Sequence, residues 1–327
     1  MPDAYLVLSY GGPNKPEDVV PFLRNATAGK GIPDERLEQV GEHYFMFGGK
    51  SPINELNNQL VDYLRDELAR RGDNTPVVIG NRNWEPYGND VIRELYADGA
   101  RDITAIATSA YESYSSCRQY REDIARWLGE LDVPDLEIRK TKPFWNTEGF
   151  FEANLDAVKK AMGQLEGARL VFVTHSIPTA MNTASGARHE LTYEQQHLAL
   201  AERIATELGI EEWDLAFCSR SGSPRTPWLE PDICDHLEDL HETGVESVVL
   251  APIGFISDHM EVLYDLDTEA KAKAEELGMG FLRAATAGVH PAFISQLADI
   301  LQNPGDTSCS VKCCWAGPEA PGIPAIV

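Results

Sequence analysis

Glu261, Asp265 and Glu269 stand four residues apart inside the stretch 252–269. On a helix that spacing stacks three carboxylates along one face. Like charges so placed cost roughly 0.2–0.5 kcal/mol per pair, a small penalty for a row along which cations or protons can pass. The same letters also read as an ordinary helix start: Asp258-x-x-Glu261 has the form of a capping box, with Ser257 or Asp258 as N-cap and acids in the first turn. Spacing alone leaves both readings open. Two further residues bear on the choice. His175 carries an imidazole, a good ligand for borderline metals and a good proton acceptor near neutral pH, and a carboxylate beside it can orient it or take protons. Tyr10, His175 and Glu261 each follow the carboxyl end of an expected strand, where open α/β sheets bind ligands. A lone histidine there is usually structural; three candidates at equivalent positions favour a shared site.

The elements that must position them alternate regularly. Strand patterns at 5–10, 76–80, 102–107 and 136–140 alternate with helical patterns at 16–24, 35–46, 54–71, 89–98 and 117–131. After Pro143-Phe144-Trp145-Asn146 the pattern restarts. Strands are expected at 169–174, 213–217, 247–251 and 280–283, and helices at 148–164, 189–208, 231–242 and 291–301, besides the acidic stretch. Such βα alternation is the mark of a parallel sheet covered on both faces. The expectation is two similar doubly wound, Rossmann-like parallel-sheet domains, 1–145 and 146–302, followed by an irregular cysteine-containing tail, 303–327.

The chain of 327 residues holds 28 basic and 52 acidic residues, a formal charge of -24. That argues against nucleic acid or an anionic membrane surface as a partner, since both need a basic face. No apolar run approaches the ~20 residues that span a bilayer. No signal peptide precedes the first strand, so six cysteines point to a reducing cytoplasm, and to metal binding or burial rather than disulfides. Phosphate loops, GxGxxG openings, GxSxG, HExxH and paired CxxC motifs are missing from the sequence.

Five blocks carry a resemblance to the ferrochelatase family, in order: LVLSYGGP from Leu6, GGKSPI from Gly48, THSIP from Thr174, SRSG from Ser219 with PWLEPD from Pro227, and GFISDHMEVLYD from Gly254. The resemblance covers roughly residues 4–300 and is nearest to the soluble Gram-positive branch, within it the actinobacterial enzymes. It implies a chelatase-like fold and insertion of Fe²⁺ into coproporphyrin III, giving coproheme in heme biosynthesis. It implies His175 as the central residue with Glu261 as partner, Tyr10 facing the metal from the other side of the macrocycle, and Asp265 and Glu269 extending the metal or proton path outward. Ser51, Tyr111 and Tyr114 are the implied porphyrin contacts. His43 stands where some relatives have a propionate-binding arginine, and Ala28 where another is common; Arg24 and Lys30 are the cations that would compensate. Asn83 replaces a histidine that some relatives use as an outer metal ligand, so that role is not carried over. Tyr44, Phe45, Phe47 and Trp84 would wall an apolar slot.

The resemblance also implies a 2Fe-2S cluster, with Cys309, Cys313 and Cys314 of the tail and Cys117 of the first domain as its four thiolates. The CxxxCC spacing is not the one familiar from animal enzymes, so the correspondence is one of region. Cys218 and Cys234 are expected to be small buried hydrophobes. A coproheme-processing enzyme is the expected downstream partner. Protoporphyrin IX ferrochelatase, cobalt chelatase and a non-catalytic tetrapyrrole carrier are the rival readings.

Overall fold

Ala4–Ser9 is buried at every position, as a strand covered on both faces must be. It forms β1 at the centre of the first sheet. The computed structural model describes residues 1–29, 31–186, 190–221, 225–310 and 313–314. After β1 come α1 (Val19–Ala26), α2 (Asp34–Phe45), α3 (Ile53–Arg70), β2 (Val77–Asn81), α4 (Gly88–Ala97), β3 (Asp102–Ala107), α5 (Gln119–Leu131) and β4 (Glu137–Lys140). The second half runs through α6 (Glu148–Met162), β5 (Arg169–His175), α7 (Thr179–Thr183), α8 (Tyr193–Leu208), β6 (Trp213–Cys218), α9 (Ile233–Glu242) and β7 (Ser247–Ala251). It ends with α10 (Lys271–Glu276), β8 (Gly280–Arg283) and α11 (Pro291–Gln302).

Both sheets are parallel and have one topology, β2-β1-β3-β4 and β6-β5-β7-β8. In each, the first strand of its half sits inside, with its successor on one side and the third strand on the other. The order therefore reverses at β1/β3 and at β5/β7, and a crevice is expected outside the carboxyl ends there. Tyr10 lies just past β1, and His175 ends β5.

A continuous apolar core joins the two sheets. It includes Tyr5 and Val7 of β1, Leu64 of α3, Phe150 of α6, Phe172 of β5 and Phe293 of α11. The last helix returns to the first half: Arg71 donates to Ser295 O at 2.9 Å and to Asp299 Oδ1 at 2.6 Å, tying α11 to the end of α3. Among the described residues no helix is long and apolar enough to cross a membrane.

The acidic stretch departs from the expected regular helix. Neither Ser257 nor Asp258 caps a helix that starts there. Asp258 accepts from Arg283 at 3.0 Å and from Thr286 at 3.1 Å, and Val262–Ala270 is a π-helical segment that passes into α10. Within it the Thr268 hydroxyl donates to Leu263 O at 3.0 Å. A second π-helical turn, Tyr114–Arg118, stands where the first turn of the helix at 117–131 was expected, capped by the Ser113 hydroxyl, which accepts from Ser116 N. The helix expected from His189 begins at Tyr193 behind a Thr192–Gln195 capping box, and His189 lies outside the described residues.

Helices α6 and α11 meet at Gly149, where an added Cβ would lie 2.3 Å from Ala292 O and 2.6 Å from Gln296 Cβ. Gly149→Ala gains about 1 kcal/mol of helix propensity but forces two buried helices apart, an overpacking cost of about 1–3 kcal/mol. Denaturant titration should show Gly149→Ala less stable than the parent. Gly129→Ala in α5, with nothing within 4 Å of its new methyl, should be neutral or slightly stabilising. Equal behaviour of the two variants would contradict the close helix approach.

Candidate metal and porphyrin site

The loop after β7 is drawn against the end of β5, and this sets the distance between the two central side chains. Gly254 N–H donates to Val173 O at 3.2 Å, and a Cβ on Gly254 would lie 2.2 Å from Thr174 Oγ1; only glycine permits that approach. From the far end of the loop Glu261 Oε2 reaches to 3.6 Å from His175 Nε2. The other ring nitrogen, His175 Nδ1, hydrogen-bonds Ser176 O. In the neutral ring the proton then sits on Nδ1, and Nε2 presents its lone pair to the Glu261 side.

Electrostatics separates the protonation states of this group. Burial opposes a charge on His175, but Glu261, both as a charge and as a hydrogen-bond partner, and then Ser176 O outweigh it and lift the imidazole to about 9. Burial likewise opposes charge on Glu261, although 49% of its side chain is accessible. His175 and then His259 reverse the balance and hold it down to about 2. Asp265 behaves oppositely: burial comes first, only partly offset by the Ser219 hydroxyl, and the charges of Glu261 and Glu269 add to it, raising Asp265 to about 7. One carboxylate is thus fixed as an anion and its neighbour is poised to titrate, the separation expected where acid and base roles are divided.

Tyr10 faces this pair from the first sheet. It is 42% exposed, and burial of its hydroxyl followed by the charge of Glu261 raises it to about 12. Tyr44 is raised by the same two causes. Both rings stand edge-on to Phe22, at 6.1 and 6.0 Å between centroids, and Trp84 does so at 6.4 Å. His43 stacks on Tyr264 with centroids 3.8 Å apart and planes at 7°, so α2 touches the π-helical segment directly. Glu269 is exposed at its outer end and Asp265 half-buried between.

Several other expected contacts are engaged within the protein. Tyr111 is buried in the core, its hydroxyl donating to Ile253 O at 2.8 Å and its ring stacked on His197 at 3.5 Å, so it presents nothing to a propionate. Ser51 is covered; its hydroxyl accepts from Ile53 N at 3.4 Å beneath the Gly11-Gly12 loop. Tyr114 donates to Glu122 at 2.9 Å. Arg24 is exposed and bound two-pronged by Asp34, at 3.0 and 2.8 Å. Lys30 lies outside the described residues. Phe45 is 47% exposed.

Several residues around His175 carried no weight in the sequence. Tyr193 donates to His175 O at 3.1 Å, and Thr174 Oγ1 meets both Tyr193 and His197. Burial drives His197 down to about 3, against a hydrogen bond to Tyr193 O, so this support is neutral. His259 Nδ1 accepts from Glu261 N at 3.1 Å and stands 3.9 Å from its carboxylate; its place two residues before Glu261 was the signal that could have found it. Ser219, at φ 61, donates to Asp265. A cavity of about 380 Å³ beyond Ser176 is lined by Phe217, Arg220, Glu230 and Asp232; it contains neither His175 nor Glu261.

The four cysteines of the expected cluster lie near one another without forming a metal-holding group among the described residues. Cys313 and Cys314 are buried with sulfurs 3.9 Å apart, and Cys309, Cys314 and Cys117 all act on the Cys313 thiol. Arg118 Nη1 donates to Cys313 O at 2.9 Å. Among the described residues no three His, Cys, Asp or Glu side chains form a ready metal-holding group, so this is a gathering of thiols. Cys218 is buried as expected, while Cys234 is half-buried.

Comparison with known proteins gives these positions a context. The ferrochelatase family model matches residues 2–304. The chain is 52% identical to a coproporphyrin III ferrochelatase of Streptomyces coelicolor, over 93% of this chain and 86% of that one. It is 46% identical to one of Mycolicibacterium smegmatis, over 91% and 88%. Among solved structures, the sirohydrochlorin chelatase of Bacillus subtilis subspecies spizizenii in complex with cobalt superposes with a TM-score of 0.55 at 14% identity, over 93% and 97% of the chains; at that identity the likeness is one of fold. A family match over this much of the chain, with relatives at such identity, leads to one conclusion: the chain belongs to the ferrochelatase family.

Proposed function

We propose that the protein is a coproporphyrin III ferrochelatase, a lyase that places Fe²⁺ in coproporphyrin III and releases two pyrrole protons. The observation that carries this reading is the His175–Glu261 pair at 3.6 Å, facing Tyr10, in a chain with the relatives named above. In the resting site the imidazolium and carboxylate neutralise one another. A dication competes for His175 Nε2 and for Glu261, and its approach expels the imidazole proton. Asp265, close to half-protonated at neutral pH, is the next acceptor, and Glu269 passes protons to solvent or receives hydrated iron. Tyr10 lies across the ring plane from His175, so the macrocycle is held between the two sheets. Arg24 reaches a propionate by exchanging Asp34, and His43 by leaving Tyr264. The protein works in the cytoplasm on this reading, handing coproheme to a processing enzyme.

A 2Fe-2S cluster on Cys117, Cys309, Cys313 and Cys314 belongs to the same reading. The donor set fits: four thiols are gathered beside buried cations. Such a cluster supplies a thiolate-bonded crosslink between the tail and the first half, beside the contacts of Arg118 with Cys313 O and of Lys142 with Asp306. Boundaries at 1–145, 146–302 and 303–327 belong to the same reading.

Under anaerobic conditions with Fe²⁺, coproporphyrin III should be metallated much faster than protoporphyrin IX. The reverse preference would overturn the substrate, faster turnover with Co²⁺ the metal, and tight porphyrin binding with no insertion would favour a carrier. His175→Ala should lower kcat by about 10²–10⁴, the usual worth of a positioned acid or base, while porphyrin binding, read by fluorescence quenching, persists. A variant that keeps parental turnover would remove His175 from the centre.

The pairing also sets a pH dependence. Glu261 stabilises the imidazolium, so His175 stays protonated through neutral pH and loses its proton near 9. Glu261→Gln leaves burial, which favours the neutral ring, and the pKa moves down. Histidine NMR titration of the metal-free and porphyrin-free protein checks this without turnover; an unmoved titration in Glu261→Gln would show that Glu261 does not hold the charge.

A further inference from the structure

Beside the cysteines lie two buried cations, Lys140 and Arg121. Lys140, at the end of β4, is only 3% exposed. Its ammonium donates to Cys117 Sγ at 3.5 Å and to Thr141 O at 3.1 Å. Arg121, one turn past Cys117 on α5, is 6% exposed. Its Nη2 donates to Lys140 O at 3.2 Å, while Nε and Nη1 are buried without a hydrogen-bond partner. Among the described residues no carboxylate pairs with either. Nearby Arg118 differs, since Glu122 holds it at 2.7 Å. Buried cations are ordinarily paired, so a buried ammonium and guanidinium side by side call for an anion between them and the tail. Neutral thiols do not supply it. Thiolates do, and a bound metal centre makes coordinating thiols thiolates.

We propose that Lys140 and Arg121 are positioning residues that provide the counter-charge for a four-thiolate iron–sulfur cluster at Cys117, Cys309, Cys313 and Cys314, and that they raise its reduction potential. This rests on the cluster reading above. Reduction adds one electron from an external donor to a centre that is already anionic. Fixed positive charge and a hydrogen bond to sulfur stabilise the more negative reduced form more than the oxidised one. Lys140 supplies both, through Cys117; Arg121 supplies charge from behind.

The test uses the full chain, purified anaerobically, with iron and acid-labile sulfide measured first. Dithionite titration followed by electron paramagnetic resonance then gives the midpoint potential. Lys140→Met should weaken reduction about tenfold, read as a downward shift of about 59 mV for one electron. Lys140→Arg should restore most of it, and Arg121→Gln should shift the same way. A Lys140→Met variant that folds by circular dichroism but no longer retains the cluster, while Lys140→Arg does, also supports the proposal. If Lys140→Met does not fold, the Arg121→Gln titration decides. Midpoints equal to the parent in folded Lys140→Met and Arg121→Gln would overturn the counter-charge role with the cluster intact. A parent protein with no iron or sulfide would instead overturn the cluster reading itself.

Discussion

The rest of the site depends on an imidazole at the end of β5 and a carboxylate beyond the loop after β7, held 3.6 Å apart. Neither charge is favoured alone in that place, because burial pushes both groups toward neutrality. Together they satisfy each other, and the geometry must be rigid for the exchange to hold. Three devices supply the rigidity. Strands β5 and β7 pair in register from Arg169–Val248 to Phe172–Ala251. The following loop closes on Thr174 through Gly254. Arg283, at the end of β8, grips Asp258 before the carboxylate row and Asp267 within it. Glu261 and Asp265 therefore sit on a segment clamped at both ends to one guanidinium.

That clamp explains a reading the sequence could not supply. Four-residue spacing places carboxylates on one side of an α-helix, and nearly so on a π-helix, so the letters alone do not separate the two. The choice is made by Arg283, whose partners are 16 and 25 residues away. The same pull takes Asp258 from its expected cap. Tyr111 is a parallel case: its hydroxyl partner Ile253 O is 142 residues distant, and no local pattern reveals that the ring points into the core.

What was legible has an equally physical cause. Strands buried on both faces read as apolar runs, and β3 and β7 fall on the expected residues. Parallel pairing then obliges the carboxyl ends to collect on one side of each sheet, so Tyr10, His175 and Glu261 could be grouped before any distance was known. Their neighbours were hidden because they act through the chain rather than on it. Tyr193 and His197 reach His175 from α8 by way of a carbonyl and Thr174, contacts that leave no periodic trace.

The chain solves opposite electrostatic problems in its two halves. Around His175 one carboxylate is held anionic, the next is half-buried and raised, and the third is exposed. Around Cys117 the excess is cationic, although acids outnumber bases 52 to 28 over the whole chain. With acids so abundant, chance would readily have placed one beside Lys140 or Arg121, as Glu122 stands beside Arg118. That neither has an acidic partner among the described residues is a local property of that pocket, not a consequence of composition. In the proposed reaction the carboxylate row meets a dication on its way to a macrocycle; in the proposed cluster the cations meet an anion that stays.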